Sequence, residues 1–421
     1  MRTSILLALF CCTTVFSFAR EKEHPDSLLV KRQFFALRNL LIKQAAGMKE
    51  QDRLYYHCFT DNFFNRMDAS NRNIDQLLEK YRGLLASKQF VTLLRLKIDN
   101  LVKSYRYKEA YTVSTQLLSD YKGYLSPDEQ EDILNETIIW ESLQHAPPQQ
   151  LSVTEDTRIP YQRDMAGLIN IPVRITDTTQ QFVFDTGANI SVITESDAKR
   201  NGLLAGEKYF EVIAATGIRV KARTAVVKEM KIGDHILVKD AVFMIFPDSA
   251  LTFGPYKIQG IIGFPVIEQM GEIRISDTLL TVPREPVQAP FANFGLDKLM
   301  PVLNVGYRTD SLPFTFDTGA AATDLNLPFY NKYQEEIKAT NSLHDKQFGS
   351  AGGNVKISSY KLPEVALQIA GKTFRLKNAP VKTAAVTEND QYYYGNIGQD
   401  LMRRFREMVI NFRYMYVDFR D

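Results

Sequence analysis

Cysteine is scarce in this 421-residue chain, which carries Cys11, Cys12 and Cys58 and no other. The first two fall in a stretch that reads as a cleaved leader, so the mature chain keeps Cys58 alone and can form no internal disulfide. That excludes a disulfide-stapled extracellular scaffold. An excess of one charge is lacking too. With 51 Lys and Arg against 49 Asp and Glu, the formal net charge is +2, and no dense basic run stands out, so no nucleic-acid partner is expected. The five histidines show no metal-ligand spacing, and neither metal nor other cofactor is called for. The apolar run at residues 5–18 is short of the roughly 20 residues that a membrane span needs, so the mature chain is expected to have no span.

What that run does fit is a secretory signal peptide over residues 1–19. Arg2 precedes it, and Ser17-Phe18-Ala19 places small residues at −3 and −1 of a cut after Ala19. The expectation is an exported bacterial protein, periplasmic or secreted. An apolar content of 45% and a charged content of 24% fit a globular chain, and the length favours about three domains.

Residues 20–150 read as an all-α domain. Apolar residues recur at helical steps, as at Leu94, Ile98, Leu101, Val102 and Tyr105, and Pro is missing from residues 26–126. Ser104 to Leu118 resembles half a tetratricopeptide repeat, without a clean 34-residue register across the region. Ala146-Pro147-Pro148 marks a boundary, and from Leu168 onward Val, Ile and Phe runs alternate with Gly, Asp and Asn turns, as β structure does. A second break at residues 283–290, rich in Pro, divides the β region into 151–285 and 286–421. The helical region is expected to fold on its own, leaving 151–421 as a soluble unit.

The two β halves repeat one another. Phe182-Val183-Phe184-Asp185-Thr186-Gly187-Ala188 is echoed 132 residues later by Phe314-Thr315-Phe316-Asp317-Thr318-Gly319-Ala320. Each copy is followed by a Gly-bearing hairpin signal: Ala215-Thr216-Gly217 in the first half, and Gly349-Ser350 with Gly352-Gly353 in the second. Ile261-Ile262-Gly263 and Asn396-Ile397-Gly398 come next, then the apolar strands around Ile273 and Ile410. A single Asp-Thr-Gly is most often an ordinary strand-end turn. Two copies in one frame provide two carboxylates in related environments, which is what hydrolysis of an amide by activated water requires.

These residues resemble the retropepsin-like aspartic proteases over roughly residues 166–421, in a form with two all-β lobes on one chain. The resemblance implies an aspartic endopeptidase acting on a peptide or protein substrate, with Asp185 and Asp317 catalytic. It also implies that Thr186, Gly187, Ala188, Thr318, Gly319 and Ala320 support the two loops. Ala215, Thr216, Gly217, Gly349, Ser350, Gly352 and Gly353 would form flaps over the substrate. Ala188 and Ala320 stand where pepsin-like enzymes place a hydroxyl donor, so the pair should hold its proton to higher pH. The second half departs from the pattern at Asp324, opposite Val192 of the first, and at Asn396, opposite Ile261. The alternative is a catalytically silent protease-fold protein that binds peptides or aids assembly, with the helical domain as a surface for a protein partner.

Overall fold

A computed structural model describes residues 24–350 and 353–420; the signal-peptide expectation lies outside these. Seven helices come first: α1 (Pro25–Val30), α2 (Phe34–Gln44), α3 (Glu50–Phe63), α4 (Met67–Lys80), α5 (Ser87–Lys103), α6 (Tyr107–Asp120) and α7 (Pro127–Leu143). Local chemistry sets their ends. Ser126 and Glu129 form a reciprocal capping box at the start of α7, with Pro127 as its first residue. The helical repeat has a 40-residue step rather than the 34 of a tetratricopeptide. Asn65 and Tyr105 take the same left-handed conformation (φ 60° and 57°) between paired helices. The 3-10 turns Arg82–Leu84 and Lys122–Tyr124 close the two units in the same way.

The β region begins at Gln150, ahead of the Val, Ile and Phe runs that start at Leu168. Its first strands are β1 (Gln150–Val153), β2 (Thr157–Pro160), β3 (Gln162–Arg163), β4 (Ile169–Arg174), β5 (Thr179–Phe184) and β6 (Ser191–Thr194). After helix α8 (Glu195–Arg200) come β7 (Phe210–Ile213), β8 (Arg219–Ile232), β9 (Ile236–Phe246), the small β10 (Thr252–Phe253) and β11 (Tyr256–Lys257), and β12 (Gly260–Ile262). Helix α9 (Phe264–Gln269), β13 (Glu272–Ile275) and β14 (Leu279–Val282) end this stretch. The second half holds β15 (Phe294–Asp297), β16 (Met300–Tyr307), β17 (Asp310–Phe316), β18 (Asp324–Leu325), helix α10 (Leu327–Thr340), β19 (Leu343–Ser350), β20 (Gly353–Ile369) and β21 (Lys372–Lys382). It ends with α11 (Asn389–Tyr392), β22 (Gly395–Ile397), α12 (Gln399–Met402), β23 (Glu407–Asn411) and β24 (Tyr416–Arg420).

The two halves have one topology. Strands β4-β5-β12-β6-β9-β8-β7 neighbour one another in that order, and β4 also pairs β8. In the second half β16-β17-β22-β18-β21-β20-β19 run in the same order, and β16 also pairs β20. Each half is thus a closed ring of six strands with a hairpin extending from it. A five-stranded sheet, β2-β14-β13-β23-β24, joins the halves; at its centre Ile273 lies opposite Ile410. The apolar segments that close each half of the sequence therefore pair with each other.

The helices do not stand apart from the sheets. One apolar cluster runs from Leu94, Leu101 and Trp140 to Val183, Val192 and Ile261. Another joins the aromatic residues of α2 and α3 to Val302 and Tyr393. Phe63 packs so closely on Gly295 that a Cβ there would fall on its ring. Polar contacts follow the same seam. Asp297 accepts from Arg32 at 2.8 Å and from the Tyr393 hydroxyl at 2.6 Å. The Asn135 side chain bonds both backbone groups of Glu211 on β7, at 2.7 and 2.9 Å. The Pro147-Pro148 break separates helix from strand, but apolar burial crosses it.

Candidate active site

Each Asp-Thr-Gly follows the last residue of a buried strand. Phe184 and Phe316 are fully buried in the ring cores, and β5 and β17 are flanked by β12 and β22 in parallel. The backbone N–H of Asp185 donates to the Ile262 carbonyl at 3.0 Å, and that of Asp317 donates to the Ile397 carbonyl at 2.9 Å. Both loops are pinned again further on. The Phe264 N–H donates to the Ala188 carbonyl and the Gln399 N–H to the Ala320 carbonyl, both at 2.8 Å. The Gly263 N–H donates to the Ser191 hydroxyl and the Gly398 N–H to the Thr323 hydroxyl, both at 3.0 Å. Gly263 and Gly398 are required here because a Cβ at either would meet the loop backbone within 2.7 Å.

The two loops lock onto each other through their threonines. The Thr186 N–H donates to Thr318 Oγ1 at 2.9 Å, and the Thr318 N–H donates to Thr186 Oγ1 at 3.0 Å. Each hydroxyl in turn donates to a carbonyl of the opposite strand, Thr186 to Phe316 at 3.2 Å and Thr318 to Phe184 at 2.9 Å. Both side chains are fully buried. This symmetric set holds the aspartates face to face. A Cβ on Gly187 would lie 2.5 Å from the Asp317 carboxyl carbon, and one on Gly319 would collide likewise with Asp185. Neither glycine has a positive φ; each is needed because the opposite carboxyl lies against it.

Asp185 accepts from the Gly187 and Ala188 amides at 2.8 and 3.2 Å, and Asp317 accepts from the Gly319 amide at 2.7 Å. Ala188 and Ala320 offer no hydroxyl, and backbone amides donate to the carboxylates instead. Burial pushes the Asp185 carboxyl well above its ordinary range, and the Asp317 charge and a hydrogen bond to Asp317 push it the same way. With the Asp317 charge beside it, ionising the buried Asp185 carboxyl is costly.

Two hairpins extend beyond the loops. In the first, β7–β8, Ala215, Thr216 and Gly217 form the tip; the Gly217 N–H donates to the Ala214 carbonyl at 2.8 Å, and Gly217 takes φ 78°, where a side chain would be strained. In the second, β19–β20, Gly349 lies opposite Asn354 and Ser350 opposite Gly353; Gly352 lies outside the described residues. The tips reach across the halves. A Cβ on Gly217 would meet the Val386 carbonyl at 3.4 Å, and one on Gly353 would meet Ile218 at 2.9 Å.

Three features escape the residue pattern. Gln399 is fully buried and donates to the Thr318 carbonyl at 2.7 Å, a brace that Phe264, its counterpart, cannot give. The unlike residue after each Gly263 and Gly398 was the available signal. Asp324 does not stand alone, since Lys382 lies 3.3 Å away and also contacts Asp390 at 3.2 Å. Asn135 left no local signal, because its partner Glu211 is a long-range neighbour.

No curated protein sequence matches the chain at a significant level. Among solved structures, the basic 7S globulin of soybean aligns at 12% identity with a TM-score of 0.41, over 63% of this chain and 94% of that one. A family model described as aspartyl protease matches residues 171–266, a stretch that holds Asp185 and Gly263 and stops before Asp317.

Proposed function

We propose that the protein is an aspartic endopeptidase in which Asp185 and Asp317, one from each β lobe, activate a water for attack on a peptide bond. The observation that carries this reading is the reciprocal threonine lock, which brings two buried carboxyls together at the ends of equivalent strands. The aspartyl protease match over residues 171–266 supports protease-type chemistry.

In this reading the pair carries one proton. The ionised carboxylate removes a proton from a water lying between the two, and the water oxygen attacks the scissile carbonyl. The protonated carboxyl gives its proton to the carbonyl oxygen as it becomes tetrahedral; the proton taken from water then passes to the amine nitrogen as the C–N bond breaks, and the diol returns a proton to the carboxyl that had lost its own. The raised proton affinity of Asp185 suits it to hold that proton. The amides of Gly187, Ala188 and Gly319 fix each carboxylate in position, so little reorganisation accompanies the reaction. The two hairpins close over the substrate and shut out bulk water. Both loops belong to one chain, so activity should not depend on dimerisation. An exported location belongs to this reading and rests on residues 1–19 alone.

Asp185→Asn and Asp317→Asn should each lower peptide turnover by roughly 10³-fold or more, with the circular dichroism spectrum unchanged. A peptide-library digest by wild type beside the two variants measures this. Normal turnover by Asp317→Asn would sink the shared site, and no turnover by wild type on any peptide would favour a silent, peptide-binding protein.

A further inference from the structure

The first hairpin, β7–β8, is tied to helix α7 on both of its strands. Strand β7 is the last in its sheet and pairs with β8 alone, so one edge of Phe210–Ile213 faces no strand. The Asn135 side chain fills that place: its Nδ2 donates to the Glu211 carbonyl at 2.7 Å, and its Oδ1 accepts from the Glu211 N–H at 2.9 Å. One amide group thus supplies the donor and the acceptor that a neighbouring strand would. On the other strand Arg219, opposite Ile213 at the last pair before the tip, donates to Glu131 of α7 at 3.0 Å and to Glu211 at 2.9 Å. Beneath these contacts Phe210 and Val220 are buried in the same apolar cluster as Ile133 and Trp140 of α7.

The matching hairpin of the second half has no such support. Among the described residues no hydrogen bond joins α1–α7 to β19, and the side chains of residues 343–347 are exposed. An edge strand as short as β7 needs no cover for its own sake, since water can serve the Glu211 backbone groups. The Arg219–Glu131 pair is exposed and contributes little alone. What these contacts share is their place. Glu211 and Arg219 stand on the two strands just below residues 214–217, so α7 sets the direction in which the tip points. The tip in turn meets the Val386 carbonyl. The Val386 and Thr387 amides donate to Asp390 at 3.0 and 3.3 Å, and Glu388 pairs with Arg32 between α1 and α2.

Resting on the peptide-hydrolase reading, we propose that Asn135 is a positioning residue: from helix α7 it holds the first hairpin over the aspartates, as a roof already in place when a peptide arrives. The helical region then acts on substrate binding and leaves the proton transfers to Asp185 and Asp317. A hairpin free to swing must be ordered by the substrate, which lowers affinity, and a hairpin fixed beforehand avoids that loss. Freed from α7, the hairpin still closes on a bound peptide, so KM rises while kcat stays.

The test compares the full wild-type chain with Asn135→Leu, which keeps the branched shape and removes both bonds. Hydrogen exchange should quicken in residues 210–222 of the variant and stay unchanged in residues 343–349. A pool of statine-centred hexapeptides, which cannot be cleaved, should bind about tenfold more weakly by calorimetry. KM for cleavable versions of the pool should rise about as far, with kcat changed by less than about twofold. If the leucine variant does not fold, Asn135→Asp, which loses only the donor, should move exchange and affinity in the same direction. Quicker exchange with affinity and KM unchanged overturns the proposal, and so does weaker binding with no change of exchange in residues 210–222. A kcat that falls with KM unchanged overturns it too, as does tighter binding or faster turnover, which would make α7 a restraint. Failure of the hydrolase reading looks different. A wild type that binds the statine pool and cleaves nothing sinks the hydrolase and leaves exchange and affinity to decide on Asn135; neither binding nor cleavage sinks both.

Discussion

Asp185 and Asp317 leave equivalent strands and are held by equivalent hydrogen bonds, yet the two β halves have different surroundings. The outward face of the first is apolar and continuous with α5–α7 through Val183, Val192 and Ile261. The same positions of the second carry Thr315, Asn396 and Asp324, and the helices reach that half instead through Phe63 on Gly295 and through Val302 and Tyr393. What the halves share is the frame that aligns two carboxyls: strand order, the Gly263 and Gly398 contacts and the threonine lock. What differs is everything that a side chain beyond that frame would touch. The frame tolerates a change of neighbour because its own hydrogen bonds are made by the backbone and by the Thr186, Thr318, Thr323 and Ser191 hydroxyls, not by the side chains at these positions.

The largest expected effect comes from removing what covers the first half. A chain of residues 151–421 loses the α5–α7 face that buries Val183, Val192 and Ile261, and it should be insoluble or expanded where the full chain is not. Phe63→Ala in the full chain should cost about 3–5 kcal/mol in urea unfolding. Hydrogen exchange on the fragment would sharpen the comparison, with β12 losing more protection than β22. A fragment that stays folded, with equal protection in both strands, would show that the helices only decorate the sheets.

A smaller effect, equal in the two halves, is expected at the loop glycines. Gly187→Ala places a methyl against the Asp317 carboxyl, and Gly319→Ala does the same to Asp185. Each should destabilise by roughly 2–4 kcal/mol and lower peptide turnover at least as far as it disturbs the pair. Thermal melts and turnover of both variants test this. If one substitution is neutral, the carboxyls do not face each other across a symmetric pair of loops.

The sequence made the frame legible because duplication wrote it twice: Asp-Thr-Gly-Ala, the Gly hairpins and the closing strands around Ile273 and Ile410 recur in order. The helical region was legible as helix but not in its period, since Tyr81-Arg82-Gly83-Leu84 and Tyr121-Lys122-Gly123-Tyr124 lie 40 residues apart and a 34-residue template passes over them. The packing of the helices on the sheets was hidden altogether. Val183, Val192 and Ile261 read as ordinary strand residues, and nothing local says that helices, rather than solvent or a second sheet, cover them. Likewise Asp324 reads as an anomalous acid until Lys382, 58 positions further on, is seen beside it.

The smallest expected effect concerns the proton that the halves share. Burial, with Asp317 beside it, raises the proton affinity of the Asp185 carboxyl in the folded protein, while in the unfolded chain the group titrates near the ordinary value of about 3.9. Below that value both states hold the proton and nothing is lost. As pH rises past it, the unfolded chain gains from ionising while the folded pair does not, so the contribution of this group to stability falls until the folded carboxyl also titrates. Asp185→Asn removes the titration and should raise the melting temperature at pH 7 by about 2 °C, with no difference from wild type remaining near pH 3. Asp317→Asn takes away the neighbouring charge that adds to the Asp185 shift and should give a smaller rise, because burial, the larger cause, remains. Melting curves of the three proteins from pH 3 to 8 decide the matter. A gain with only one substitution would mean that the backbone symmetry of the loops does not extend to their charge, and a gain that persists unchanged at pH 3 would mean that packing, not a shared proton, sets the cost of the site.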